Sequence, residues 1–410
     1  MPSAQKDPQD YDLVPITDKE LIHYTRQQNA ASWKGHLSCE DYVIREHVLS
    51  LSPLAKGLKV FVFVEKSKPK VPLCSMEILF RRSWKYDGEG RRQNVQMATI
   101  GGVYTYPENR GQGYARIMID KAVSYIRKFA GVDSFTILYS EVGEYYSRNG
   151  FTSLPVDYLE IPLKTTQSNT NKAQSVVLNN EVVTPIQYQD FGPFFEKYGE
   201  AVDDWIKKEI SVDGKSRVCL TPTSDLIDWF HLRSKYLSFM MFHPNKSFDF
   251  LNSTYSEITK AFDDIEPQIF GLQLKNSSTN EFIGFISWYY EWYTDEQTNE
   301  FKTKVTVISL HVDPSYNKRE YSFKLVHLLK EFLEEEPSNG TLQPMGKLVI
   351  WELELVDPTV KNAILELFSG SKGGLENGSR SAILFNNEKD RELFSRGKLV
   401  WELNTKLPWF

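Results

Sequence analysis

The sequence predicts a mixed α/β fold divided into two domains, and three observations carry that prediction. The chain has 410 residues, more than one hydrophobic core commonly organises. Residues 164–175 (KTTQSNTNKAQS) hold one Ala and no larger apolar group, so they cannot bury enough surface to order themselves and read as a linker. On either side, β-branched and aromatic runs come first as strands and then alternate with helical segments, the pattern of a mixed sheet covered by helices. The expected division is a first domain over 1–163 and a second over 176–410.

In the first region Tyr11–Ile16 reads as a strand, and Thr17 is a good N-cap for a helix carrying Leu21, Ile22 and Tyr24. A second helix spans Glu40–Leu51, with Tyr42, Val43, His47 and Leu51 at helical spacing. Lys59–Glu65 and Leu73–Arg81 read as paired strands, and another strand runs through Val95–Thr105. A helix over Gln112–Phe129, a strand at Ser134–Tyr139, a short helix around Glu144–Arg148 and a strand at Asp157–Leu163 complete the unit. In the second region strands are expected at Phe282–Tyr290 and Thr303–Val312, with a helix at Tyr321–Glu334. A strand at Lys347–Leu353, a helix at Thr359–Leu367 and a last strand at Lys398–Leu403 follow.

Composition excludes several classes. An aromatic share of 13% within 41% hydrophobic residues argues for filled cores or aromatic-lined clefts rather than disorder. A net charge of −6 gives no general attraction to nucleic acid or to anionic membrane. No apolar run approaches a membrane span, and the first residues have no apolar core of a signal peptide. Cys39, Cys74 and Cys219 are far apart and not spaced as metal ligands, so no metal is expected, and a reducing compartment, by default the cytoplasm, is.

The most informative segment is Val103-Tyr-Thr-Tyr-Pro107-Glu-Asn-Arg110-Gly-Gln-Gly113-Tyr-Ala115. A strand ends at Pro107, which cannot donate a ladder hydrogen bond. A glycine-bearing turn then opens a helix, leaving free N–H groups at its N-terminus where a pyrophosphate can sit. Gly111 and Gly113 let phosphate oxygens approach the main chain, and Arg110 adds a forked cation. A dinucleotide-binding turn would require a third glycine where Arg116 stands. Gly214-Lys215-Ser216 matches the end of a P-loop, but Glu209 occupies the place of its first glycine.

The turn resembles the acetyl-CoA motif of the GNAT superfamily, Gln/Arg-x-x-Gly-x-Gly/Ala, with Arg110, Gly113 and Ala115 in the defining places. The resemblance implies that residues Arg110, Gly111, Gln112, Gly113, Tyr114 and Ala115 cradle the pyrophosphate of acetyl-CoA. It also implies that the backbone of Val103, Tyr104 and Thr105 pairs with pantetheine, beyond a strand break at Gly101-Gly102. Tyr145-Tyr146-Ser-Arg-Asn-Gly150-Phe151 resembles the family's Tyr-x-x-x-Gly-Phe ending, in which the tyrosine here numbered Tyr146 protonates the departing thiolate. A phenol near pKa 10 can protonate a thiolate whose conjugate acid is near 8.5, if held beside the sulfur. Glu77 and Glu141 are candidate bases, and neither is assigned.

Placing Pro314 on Pro107 brings Leu310–Pro314 onto Val103–Pro107, so the second domain is either a degenerate copy of the first or a chance likeness of two strand–turn–helix units. Asn317, Lys318, Arg319 and Glu320 would replace the cofactor turn, leaving one acetyl-CoA per chain. In Leu226–Tyr236, His231 and Arg233 fall on different helix faces, with Trp229 and Leu232 read as core and Arg233 as solvated. The whole layout resembles fungal lysine N-acetyltransferases, although Phe230 between Trp229 and His231 departs from their pattern. The implied function is transfer of acetyl to a small amine such as L-lysine, held between the domains. A peptide or protein N-acetyltransferase, or a non-catalytic acetyl-CoA-binding protein, is the alternative.

Overall fold

A computed structural model describes residues 6–164, 166–168, 176–178, 180–337, 344–355 and 357–410. Two large mixed sheets organise it. The first runs Tyr11–Ile16, Leu58–Glu65, Pro72–Tyr86, Arg92–Thr105, Phe135–Ser140, Arg380–Phe385 and Thr152–Leu154, with Ser216–Leu220 and Leu399–Glu402 added beside the far end of Pro72–Tyr86. The second runs Lys372–Glu376, Asp157–Pro162, Met345–Trp351, Phe301–Val312, Phe282–Thr294, Ile269–Asn276, Glu181–Gln187 and Val176–Leu178.

Both sheets contain the same motif. A long antiparallel pair leads into a strand that pairs in parallel with the next one, Arg92–Thr105 with Phe135–Ser140 and Phe301–Val312 with Met345–Trp351. The helix between them, Tyr114–Ala130 or Lys318–Glu334, covers the sheet. Met118, Ile119, Ala122 and Ile126 form the buried stripe of the first, packed with Ile78, Ile100 and Leu138. The expected repetition of the strand–helix–strand unit is present in the second sheet.

The strand at Asp157–Pro162 forms where its sequence predicts but lies in the second sheet, antiparallel to Met345–Trp351. Its place in the first sheet, beside Phe135–Ser140, is taken by Arg380–Phe385 from near the other end of the chain. The exchange is reciprocal. Periodicity cannot foresee it, because it fixes a strand's faces and not its neighbour. The residues expected as a linker lie outside the described ones, except for Lys164 and the strand Thr166–Ser168, which pairs with Glu335–Pro337.

Other differences are local. Asp18 rather than Thr17 caps the first helix, accepting from the Leu21 N–H at 2.8 Å. The helix expected from Tyr321 begins at Lys318, because Asn317 caps it through the Glu320 N–H at 3.2 Å. No helix among the described residues is long and apolar enough to cross a membrane.

The exchange makes a prediction. Residues 1–163 expressed alone lack the strand that carries Ile383 and Phe385, both buried in the core, and should be insoluble. Co-expression with 164–410 should give a single complex on gel filtration. A monodisperse, folded 1–163 fragment would contradict this.

Candidate active site

The Arg92–Thr105 strand is broken at its two glycines. Gly101 faces Glu77 and Tyr104 faces Ser75, so Gly102 and Val103 together oppose Met76 alone in a β-bulge. Gly102 has φ +57°, which a side chain would resist, and a Cβ on Gly101 would come within 3.0 Å of the Phe410 ring. On the opposite edge the ladder to Phe135–Ser140 covers only Met97–Ile100 against Phe135–Leu138. Val103, Tyr104 and Thr105 therefore present a strand edge without a strand partner among the described residues. The Thr105 carbonyl accepts from Arg110 Nε at 3.1 Å, and the rest of that edge is open.

The Tyr114–Ala130 helix begins just past this opening. Its N-cap, Gly113, has φ +78° and offers no side-chain cap, so the first-turn N–H groups are free for a ligand. A Cβ at Gly111 or Gly113 would meet nothing within 4 Å, so open space lies in front of the turn. Lys6 Nζ stands 3.0 Å from Gln112 Oε1 and 2.6 Å from the Tyr114 hydroxyl. With Arg110, whose guanidinium lies 5.2 Å from the Tyr104 ring centroid, it puts two cations beside the turn. The Tyr114 ring is buried against Tyr11 and Phe63, which leaves its backbone to face a phosphate. Ala115 is half-buried behind it. These residues fit a pyrophosphate at the helix start and an amide-bearing arm along the open edge.

Tyr146 sits on the short turn Tyr145–Asn149 that follows Phe135–Ser140, its ring edge-on to Tyr145 and Phe151. Burial raises its pKa, so the phenol is neutral. It opens onto a cavity of about 550 Å³ between the two sheets. Gly101, Gly102, Val103 and Leu138 of the first sheet also face this cavity, as do Arg26, Asn29 and Trp33 of the first helix and Tyr42, Arg45 and Glu46 of the second. The rest of the lining includes Trp229, Arg233, Tyr289, Glu291 and Lys304, and the terminal segment with Lys406, Trp409 and Phe410.

Several charges in the cavity are matched. Arg45 pairs with Glu46 at 2.6 Å and Lys304 with Glu291 at 2.7 Å. Glu77 has no ion pair among the described residues. Burial pushes its pKa up to about 7, since the nearby Arg26 only partly offsets desolvation and Glu46 adds repulsion. Of the two acids singled out from sequence, Glu77 lies beside the bulge, whereas Glu141 is exposed at the rim and accepts from Trp33 Nε1 at 3.2 Å.

Arg233, expected in solvent, is a cavity residue, while His231 on the other helix face approaches the Trp288 carbonyl at 2.9 Å inside the core. The spacing argument separated the two correctly but sent the arginine the wrong way, because the first domain covers that face. The sequence reading also passed over Arg26, Asn29 and Trp33, at i, i+3 and i+7 of one helix. Tyr42, Arg45, Glu46 and Leu49 repeat that spacing in the next. Polar residues at core spacing were the available signal.

In the second copy the ladder between the parallel strands likewise covers only Thr303–Thr306 against Met345–Val349. Beyond it stand Tyr198, Val202 and Trp205 of the Gly192–Asp213 helix, with Glu354, Asn404 and Thr405. These residues line a smaller cavity of about 280 Å³, and the helix there caps its own N-terminus through Asn317, so this copy lacks a bare helix start.

A sheet opened over an uncapped helix start is the architecture of a GNAT acyltransferase. Residues 70–154 match the family model described as acetyltransferase (GNAT) domain, and residues 160–410 match the LYC1 GNAT-like C-terminal domain. The second match spans more than half of the chain, which therefore belongs to that family and is an N-acetyltransferase. Similar proteins include an uncharacterised protein of Saccharomyces cerevisiae, 25% identical over 436 residues with 96% of each chain covered. A lysine acetyltransferase of Yarrowia lipolytica is 24% identical over 446 residues, covering 95% of this chain and 99% of its own. A GCN5-related N-acetyltransferase from Anabaena variabilis shares the fold with TM-score 0.52 and 13% identity, over 93% of this chain and 74% of that one.

Gly113→Glu places a carboxylate at the uncapped helix start and should abolish CoA binding in a calorimetric titration while the protein stays folded. Full-strength binding by this variant would remove the turn from the site.

Proposed function

We propose that this enzyme moves the acetyl group of acetyl-CoA to a primary amine of a small acceptor, with L-lysine the leading candidate. The observation that carries the reading is one cavity lined together by Tyr146, Glu77 and the broken strand. Its size suits a small molecule, and walls from both halves of the chain, taken as domains 1–163 and 176–410, enclose the acceptor. The name of the Yarrowia relative supports lysine. Arg110 to Ala115 hold the pyrophosphate and the Val103–Thr105 edge the pantetheine. The free cysteines favour a reducing compartment such as the cytoplasm.

The acceptor ammonium must lose one proton to become a nucleophile and a second as the amide forms. Glu77, with a pKa near neutrality, is placed to take the first, directly or through water. The amine nitrogen bonds to the acetyl carbon as the carbon–sulfur bond breaks. Tyr146, kept neutral by burial, donates its proton to the sulfur and is reprotonated from the amine. One proton is released per turnover.

Tyr146→Phe keeps the packing and removes the proton, so kcat should fall by about 10²–10⁴-fold with CoA binding intact. Unchanged turnover would return Tyr146 to the core. The Glu77 carboxylate is the active form, so kcat/KM of the native enzyme should fall as pH drops through about 7. Glu77→Gln should lower the rate and erase that limb, and a Gln variant that keeps it would assign the base elsewhere.

A further inference from the structure

The second sheet has a cavity of its own, about 280 Å³ in volume. Three rings line it, Tyr198 and Trp205 of the Gly192–Asp213 helix and Trp401 of the Leu399–Glu402 strand, with aliphatic groups such as Val202 and Leu310 beside them. It is distinct from the larger cavity between the sheets, although the terminal segment borders both. Asn404 and Thr405 line the smaller cavity and Lys406 the larger.

The polar groups in this lining are buried and incompletely used. Glu354 is 4% exposed, and one oxygen of its carboxyl group has no hydrogen-bond partner. The Thr405 hydroxyl and the Asn404 side-chain oxygen, both buried, lack partners as well, and so does Trp401 Nε1. Three of these four atoms can accept a hydrogen bond, and only the indole is confined to donating. Glu354 makes no ion pair among the described residues. Arg217 is taken up by Glu402 at 2.7 Å and Asp213 at 2.9 Å, and Lys318 Nζ lies 5.9 Å from the Trp205 ring centroid. His311 is kept neutral by burial, which lowers its pKa to about 4, and burial likewise keeps the Tyr139 and Tyr198 phenols neutral. Burial therefore raises Glu354 to about pKa 8, opposed only by the nearby Thr405 side chain and Leu310 backbone. Unpartnered acceptors among aromatic rings match a ligand that brings donors on an apolar body.

We propose that this smaller cavity is a second ligand-binding site, which takes a small apolar amine as its ammonium ion, the nitrogen donating to Glu354, Asn404 and Thr405 and the hydrocarbon part lying among Tyr198, Trp205 and Trp401. An ammonium carries three donors for the three acceptors. Its charge is balanced by Glu354 once that group ionises, and charge-assisted hydrogen bonds are among the stronger polar contacts. The rings add apolar surface and attract a cation through their faces. An anionic ligand would meet a buried acid with no cation paired to it, and a neutral one would forgo the charge-assisted bonds. Such a site is independent of acetyl transfer, which uses the larger cavity.

The test is calorimetric titration of the full chain, without acetyl-CoA, with 2-phenylethylamine and with 2-phenylethanol, which has the same body and no charge. The amine should bind about 10-fold or more tightly than the alcohol. Glu354 must lose its proton to pair with the ammonium, so binding at pH 7 should release about one proton and its heat should vary with the protonation heat of the buffer. Glu354→Gln should bring the amine down to the affinity of the alcohol. Ala201→Trp, which fills the cavity from the Gly192–Asp213 helix, should abolish binding of both. CoA titration of each variant reports that it is folded. No binding of the amine by the native chain would overturn the site, as would equal affinity for the alcohol or a heat independent of buffer. Amine binding that survives both substitutions would place the ligand elsewhere and overturn it equally.

Discussion

The reciprocal exchange of strands is the constraint on which the rest of the structure depends. Arg380–Phe385 supplies the strand beside Phe135–Ser140, and Asp157–Pro162 supplies the corresponding strand beside Met345–Trp351. Each is an interior strand with ladder partners on both edges, so removing either exposes two rows of backbone groups. A flexible linker would let two domains drift. Two exchanged strands fix one sheet against the other, and that fixes the gap between them. The terminal segment strengthens the joint, since Asn404 Nδ2 donates to Ser381 Oγ at 2.9 Å and Tyr139 donates to the Thr405 carbonyl at 3.2 Å. A cavity whose two walls come from different sheets holds its geometry only under such a constraint.

The two copies differ in how each opened sheet is completed. In both, the parallel pair separates after a few residues, at Ile100 with Leu138 and at Thr306 with Val349. Open strand edges need partners. In the second copy the chain supplies its own: Glu354, raised to about pKa 8 by burial, faces Thr405 and the Leu310 backbone. The helix start is satisfied by Asn317. In the first copy Gly113 gives the helix start no side-chain cap, and Gly102 takes a left-handed conformation at the strand break.

Local features were legible in the sequence, and relationships between distant segments were not. The glycine turn and the uncapped helix start could be read because their signals are contiguous from Val103 to Ala115, with glycines that mark left-handed backbone. The bulge at Gly101-Gly102 was equally local. Most elements of the first region fell within a few residues of their places, since capping and periodicity act over one or two turns. The strand at Arg380–Phe385 was missed although its Ser-Ala-Ile-Leu-Phe run is buried throughout, as a short apolar run carries little periodic signal. Arg233 and Arg26 were missed as site residues for a related reason. A cation on a buried helix face is legible only once something is known to stand opposite it, and what stands opposite is set by the exchange.

The unmatched charges show how such a cavity is tolerated when no ligand is bound. Burying an unpaired ion is costly, and a titratable group escapes most of that cost by becoming neutral. Burial brings both Glu77 and Lys406 to about pKa 7, one raised and the other lowered. Near neutral pH each can therefore lose its charge at little expense, while Arg233, which cannot readily do so, is held charged in part by the attraction of Glu291 and Glu46 against its burial.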